Sequence, residues 1–93
     1  MIGDLTVTSE AGTEVGDTKI SVAEALGEGH KYSYKIADAE TDVEYWEYVT
    51  DWTEWDGESE ITADSGDVIT VVESTGDYHA LSAGSATVVA KEE

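Results

Sequence analysis

The residues best suited to chemistry or recognition are concentrated in residues 42–60, which read DVEYWEYVTDWTEWDGESE. This segment holds all three Trp residues of the chain and two of its five Tyr residues. Aromatic rings supply much of the burial energy of a small domain, and the chain has no Phe, so some of these rings must belong to the core. One strand and its turn cannot hide all of them, so we expect others to form a protein-contact surface. The candidate contact residues are Tyr45, Trp46, Tyr48, Trp52 and Trp55.

Carboxylates surround these rings and raise the possibility of a calcium site, because hard cations take several oxygen ligands at once. They are Asp51, Glu54, Asp56, Glu58 and Glu60. Their spacing does not match an EF-hand loop, in which ligands alternate and a Glu closes the loop. In a chain with 22 Asp and Glu residues such a cluster arises by composition alone. We therefore predict no metal ligands and no cofactor.

The sequence contains no pattern that pairs a nucleophile with a base, since no Gly-x-Ser-x-Gly elbow is present. His30 lies in a Gly-flanked turn and His79 follows a Gly-Asp turn, so we expect both to be exposed loop residues rather than general bases. Paired carboxylates could serve a glycosidase, but 93 residues leave little material for a cleft. No Gly-rich phosphate loop with a Lys is present. We predict that the protein is not an enzyme and has no catalytic residues.

The elements that must position these residues are short strands. Residues 5–8, 19–22 and 31–36 alternate polar and apolar side chains, as half-buried strands do. Residues 68–72 and 86–90 are β-branched runs, which are typical of strands near the middle of a sheet. The competing helical stretch, residues 22–26, is too short to stand alone.

Turn residues separate these strands at roughly strand-length intervals. They are Gly12, Gly16-Asp17, residues 27–29, residues 56–57, residues 65–67, residues 76–77 and Gly84. This spacing predicts an all-β fold, an antiparallel sandwich or a small β-barrel. The length favours a single domain over residues 1–93.

The charge balance excludes one class of partner and disfavours another. The chain has 22 acidic residues, 4 Lys and no Arg, for a net charge of −18. A phosphate-tracking groove needs a basic stripe, so nucleic-acid binding is excluded, and anionic membranes are disfavoured for the same reason. The charge fits a solvated surface, a basic partner or a salty cell. There is no Cys for disulfides, and residues 1–5 have no signal-peptide character, so we expect synthesis in the cytoplasm without export.

Several turn-and-strand motifs resemble small proteins associated with phages and prophages of Gram-positive bacteria. They are residues 15–22, 27–35, 52–57, 61–63, 66–73 and 83–88, while residues 37–49 match least well. The resemblance implies an immunoglobulin-like sandwich that decorates a virion. In that interpretation the protein docks on the major capsid protein or another virion protein, with possible homo-oligomers on the lattice, and is located at the capsid surface.

Two other functions fit the same residues. In the first, the chain is a carbohydrate-binding or cell-surface adhesion module whose rings stack on sugars, with Trp52 and Trp55 as the residues to test. In the second, it is an acidic nucleic-acid mimic whose carboxylates imitate phosphates. The net charge of −18 fits a mimic, but nothing in the sequence spaces the charges like a duplex.

Overall fold

The computed structural model describes residues 3–24, 27–57 and 59–92. Its strands are β1 (Gly3–Asp4), β2 (Val7–Ala11), β3 (Asp17–Val22), β4 (Lys31–Ala37), β5 (Thr53–Trp55), β6 (Ile61–Thr62), β7 (Val68–Ser74) and β8 (Ala80–Thr87). They form a five-stranded sheet in the order β1-β8-β7-β4-β5 and a three-stranded sheet in the order β2-β3-β6. Only β1 and β8 run parallel among these pairs; the other neighbours are antiparallel. This arrangement confirms the all-β prediction and fits an immunoglobulin-like sandwich rather than a closed barrel.

The main core fills the space between the two sheets because apolar side chains alternate along their strands. Ile20 of β3 and Ile61 of β6 face Ile69 and Val71 of β7 in one buried cluster. Tyr32 and Trp55 join this cluster from paired positions on β4 and β5, with ring centroids 5.6 Å apart. The aromatic pair therefore closes the core at the β5 edge of the larger sheet.

The larger sheet is also covered on its other face. The long connection between β4 and β5, residues 38–52, forms this cover, and we call it the cover segment. Val49 and Trp52 of the cover segment pack with Val72 and Ala80 in a second buried cluster. The backbone N–H of Thr41 also donates to the hydroxyl of Thr70 at 3.0 Å. Because both faces are covered, β7 is buried almost throughout, which explains its nearly continuous β-branched sequence.

Strand β8 departs from the sequence prediction. The predicted strand at residues 86–90 overlaps it only at its end, since β8 runs from Ala80 to Thr87. Gly84, predicted as a turn, lies inside β8 opposite Val71. A Cβ at position 84 would overlap the backbone carbonyl of Leu5, so Gly84 permits close approach of another segment rather than a turn.

The short helical alternative at residues 22–26 is not supported at its first residue, because Val22 ends β3; Ala25 and Leu26 lie outside the described residues. In the described ranges, no helix is long and apolar enough to cross a membrane.

Candidate functional site

The five aromatic residues predicted as contacts divide into two groups. Trp52 and Trp55 are buried, with exposed fractions of 7% and 6%. Tyr45, Trp46 and Tyr48 are exposed, at 49%, 50% and 61%. The segment therefore supplies both core rings and surface rings, and the structure leaves only the second group available to a partner.

The exposed rings form a continuous row with His79. Trp46 stacks on the imidazole of His79 with ring centroids 4.4 Å apart and an interplanar angle of 6°. Tyr48 lies 4.3 Å from the same imidazole, and Tyr45 lies 5.7 Å from Trp46. We call Tyr45, Trp46, Tyr48 and His79 the aromatic surface. Because each ring touches a neighbour in this set, the rings have fewer rotamers open to them than isolated surface side chains.

Backbone hydrogen bonds hold the aromatic surface against the start of β8. The N–H of Trp46 donates to the carbonyl of Ala80 at 2.7 Å, and the N–H of Ala80 donates to the carbonyl of Glu47 at 2.8 Å. The N–H of Val49 donates to the carbonyl of Tyr78 at 2.9 Å. These hydrogen bonds hold the exposed turn against Ala80, the first residue of β8, and Tyr78, which lies just before it.

Two backbone conformations near the aromatic surface are unusual. Trp46 has a φ of 70° and Tyr78 has a φ of 68°, in the left-handed region that side chains with a Cβ rarely occupy. Such conformations cost on the order of 1–3 kcal/mol and persist only where the surrounding contacts enforce them. At Trp46 this conformation places a large, half-exposed ring on the turn.

The aromatic surface also has unused hydrogen-bonding groups and a negative border. Within the described part of the chain, the indole N–H of Trp46 and the hydroxyls of Tyr45 and Tyr48 have no hydrogen-bond partner. Glu44 and Glu47, on the same turn, are both exposed. The arrangement can therefore offer flat apolar area, free polar donors and negative charge to a partner.

The described carboxylates considered for calcium are held by separate partners rather than grouped around one point. Each described one has its own partner: Lys35 for Asp51, Lys31 for Glu54, Ser59 for Asp56 and Thr13 for Glu60. Glu58 lies outside the described residues. In the ranges that the structure covers, no three His, Asp or Glu side chains come together to hold a metal ion. Glu54, Asp56 and Glu60 instead line an open depression of about 570 Å³ beside Tyr32 and Trp55.

His30 differs from the exposed loop residue that the sequence predicted. Its Nδ1 lies 2.6 Å from a carboxylate oxygen of Glu73, which is itself buried on β7. The same carboxylate oxygen accepts a hydrogen bond from the N–H of Gly27. His30 therefore provides a polar partner for the buried Glu73 carboxylate, which is a structural role. His30 also lines the depression. His79 is also partly buried, because Trp46 and Tyr48 lie against its ring.

Comparison with known proteins identifies the fold. No protein family has a sequence model that matches the chain, and no curated protein sequence matches it significantly. A crystal structure of domains 7, 8 and 9 of the S-layer protein SbsC superposes on 95% of the chain, with a TM-score of 0.75 and 24% identity. A structure of domains 4–9 of the surface layer protein SbsC superposes on 94%, with a TM-score of 0.72 and 25% identity.

The chain is similar to domains of a surface-layer protein. It spans 29% of the first solved chain and 14% of the second, so it matches a part of each. The two structures share the sandwich architecture described above. Neither structure is a phage protein by its description, so the comparisons give no support to the virion and capsid role that the sequence resemblance implied.

His79 is the residue of the aromatic surface that sequence reasoning missed. It is 33 positions away from Trp46 in the chain, so no local pattern joins the two. The sequence does place His79 next to Tyr78, directly after a Gly-Asp turn, and this position indicates two neighbouring rings in a surface loop. That signal locates His79 near the surface but does not identify its stacking partner.

Proposed function

We propose that this chain is a non-enzymatic β-sandwich module of a cell-surface protein, and that it contacts a neighbouring protein through the aromatic surface. The observation that carries the proposal is the exposed row of rings on a fold similar to surface-layer domains. Exposed Tyr and Trp residues that are held in place are typical of the residues that dominate binding energy at protein interfaces.

The geometry supports contact by a preorganised surface. Binding usually costs free energy because mobile side chains must be ordered at the interface. Here the stack between Trp46 and His79 and the backbone bonds to Ala80 already restrict the turn. A partner that buries these rings would gain apolar area without paying the full ordering cost.

A protein partner fits these rings better than a sugar. The rings named for sugar stacking, Trp52 and Trp55, are buried and have no open face. One face of the Trp46 ring is covered by His79, which leaves less flat area for a pyranose. The proposed partner is therefore another protein of the surface assembly, in place of the capsid protein, and the proposed location is the cell surface.

The test is sedimentation of the purified domain with cell envelopes of the organism that encodes it. Two envelope samples are compared, one native and one stripped of protein with guanidinium and protease. We expect the domain to pellet with native envelopes only, and we expect the variant Tyr45→Ala/Trp46→Ala/Tyr48→Ala to stay in the supernatant.

The control is a variant with the same number of alanines on exposed positions of the smaller sheet, Thr8→Ala/Glu10→Ala/Lys19→Ala, which should pellet like the wild type. Pelleting with stripped envelopes would instead indicate a glycan ligand. A wild-type domain that pellets with neither sample would refute the proposal.

A further inference from the structure

We infer that the aromatic surface receives a cationic side chain, Arg or Lys, from the partner protein. This inference rests on the proposed function, because it specifies the chemistry of the partner at the same surface. At two other positions in the protein, a Lys ammonium already lies beside both an aromatic ring and a carboxylate.

The first combination is at Lys31. Its Nζ lies 4.8 Å from the centroid of the Tyr78 ring and 3.3 Å from a carboxylate oxygen of Glu54. The ammonium also donates to the Tyr78 hydroxyl at 3.2 Å. The hydrogen bond with Tyr78, followed by the bond and the charge of Glu54, raises the pKa of the Lys31 ammonium above its ordinary value. Ring and acid together thus stabilise the cation.

The second combination is at Lys35. Its Nζ lies 5.2 Å from the centroid of the Trp52 ring and 3.7 Å from a carboxylate oxygen of Asp51. Both Lys residues belong to β4. In each combination, the ring presents its negative face and the acid supplies the counter-charge, so the cation has two favourable neighbours.

The aromatic surface has the rings and the acids of this arrangement, but no Lys or Arg side chain lies on its rings in the described residues. Trp46 and the two tyrosines beside it are exposed, and Glu44 and Glu47 flank them on the same turn. Both cation–ring contacts in the described residues use other rings, those of Tyr78 and Trp52.

None of the four Lys side chains is among the cation–ring contacts of the aromatic surface in the described residues. Lys31 and Lys35 are already paired, Lys91 donates to the carbonyl of Thr13, and Lys19 lies opposite Glu10 in the smaller sheet. The chain contains no Arg and carries a net charge of −18. A complementary Lys or Arg side chain is therefore expected from a partner.

Arginine fits this surface better than lysine. Its guanidinium is planar, stacks on aromatic faces and is more weakly hydrated than an ammonium, so less hydration is lost when it lies on a ring. Its donors can also reach a carboxylate beside the ring in a bidentate geometry. Because the surface is exposed to solvent, salt will weaken the interaction.

The experiment is calorimetric titration of the full chain with an arginine–glycine repeat peptide, paired with the same peptide in which neutral citrulline replaces every arginine. Each cation–ring contact at an exposed site is worth about two- to fivefold in affinity. We expect the citrulline peptide to bind at least about tenfold more weakly, because it keeps the shape and loses the charge. Trp46→Ala should lower affinity by about two- to fivefold.

Two double variants separate a specific surface from general attraction to an acidic protein. Glu44→Gln/Glu47→Gln removes the charges beside the rings, and Glu14→Gln/Glu28→Gln removes as many from exposed positions elsewhere. We expect the first to weaken arginine-peptide binding several-fold more than the second. Nuclear magnetic resonance should show the peptide shifting the indole N–H signal of Trp46 and leaving that of Trp55 unchanged.

Equal effects of the two double variants, or equal binding of the two peptides, would overturn the inference. These outcomes are distinct from failure of the proposed function. Suppose that Tyr45→Ala/Trp46→Ala/Tyr48→Ala loses envelope binding but the arginine and citrulline peptides bind equally well. The aromatic surface is then a protein contact whose partner is not cationic. If the domain does not bind native envelopes, the proposed function itself is refuted.

Discussion

Trp46 and Trp55 both lie within residues 42–60, yet they occupy opposite environments. Trp55 is buried in the main core beside Tyr32, and its indole N–H donates to the carbonyl of Ser59 at 2.9 Å. Trp46 is half exposed on a turn, and its ring is stacked on His79. Trp55 has its indole N–H paired and its surface buried, whereas Trp46 has an unpaired indole N–H in the described residues and half of its surface exposed.

The difference follows from the backbone beneath each ring. Trp55 ends β5, whose pairing with β4 directs the ring between the sheets. Trp46 lies in the cover segment, where its left-handed conformation turns the side chain away from the sheet while Val49 and Trp52 pack inward. A core ring stabilises the fold, whereas a ring held outward contributes little to folding and is free for recognition.

The largest expected effect is the difference in folding stability between variants of Trp55 and variants of Trp46. Trp55→Ala should lower the free energy of unfolding by about 3–5 kcal/mol, because it removes a buried aromatic side chain and leaves a cavity. Trp46→Ala should cost clearly less, because the ring is half exposed and loses only its contacts with His79 and Tyr45. Urea unfolding followed by circular dichroism measures both.

If Trp55→Ala does not fold at all, Trp55→Phe provides a milder comparison, since it keeps a ring in the core. If Trp46→Ala destabilised the domain as much as either Trp55 variant, the two rings would not differ in their contribution to folding. A neutral Trp55→Ala would show that the Trp55 ring does not stabilise the core.

A smaller effect concerns alkaline pH and the core partner of Trp55. Burial, followed by the charges of Glu73 and Glu24, raises the pKa of the Tyr32 hydroxyl above its ordinary value of about 10. Because the folded state holds this proton more tightly, the stabilisation is fully present below the unfolded pKa and is lost as pH rises through the folded pKa. We expect the urea midpoint to fall above pH of about 10.

The matched variant is Tyr32→Phe, which keeps the ring and removes the ionisable hydroxyl together with its hydrogen bond to the Glu24 carbonyl. Its urea midpoint should fall less over the same alkaline range than that of the wild type. An identical decline in both proteins would show that Tyr32 does not contribute to alkaline sensitivity, and that the core ring is more open to water than the structure indicates.

The strands with a clear period were predictable, and the others were not. Residues 31–36 alternate and residues 68–72 are β-branched, and both lie inside strands, β4 and β7. Strand β8 reads ALSAGSAT, whose small residues have little apolar pattern, so its position depends on pairing with β7 rather than on its own sequence. Strands β5 and β6 are three and two residues long, too short for a period to appear.

The candidate site was predictable as a segment but not residue by residue. Aromatic density identified the region, because rings in that number exceed what one strand can bury. Which rings lie outside depends on where the cover segment meets β8, through bonds such as Trp46 to Ala80. Those contacts join residues far apart in the chain, as does the stack with His79, and no local pattern encodes them.

The most direct test of this division is hydroxyl-radical footprinting with mass spectrometry, on the free protein and on the protein bound to native envelopes. We expect Tyr45, Trp46 and Tyr48 to be oxidised in the free protein and protected in the bound one, while Trp52 and Trp55 react slowly in both. Equal oxidation of Trp46 in the free and bound states, or oxidation of Trp55 as fast as Trp46 in the free protein, would contradict this expectation.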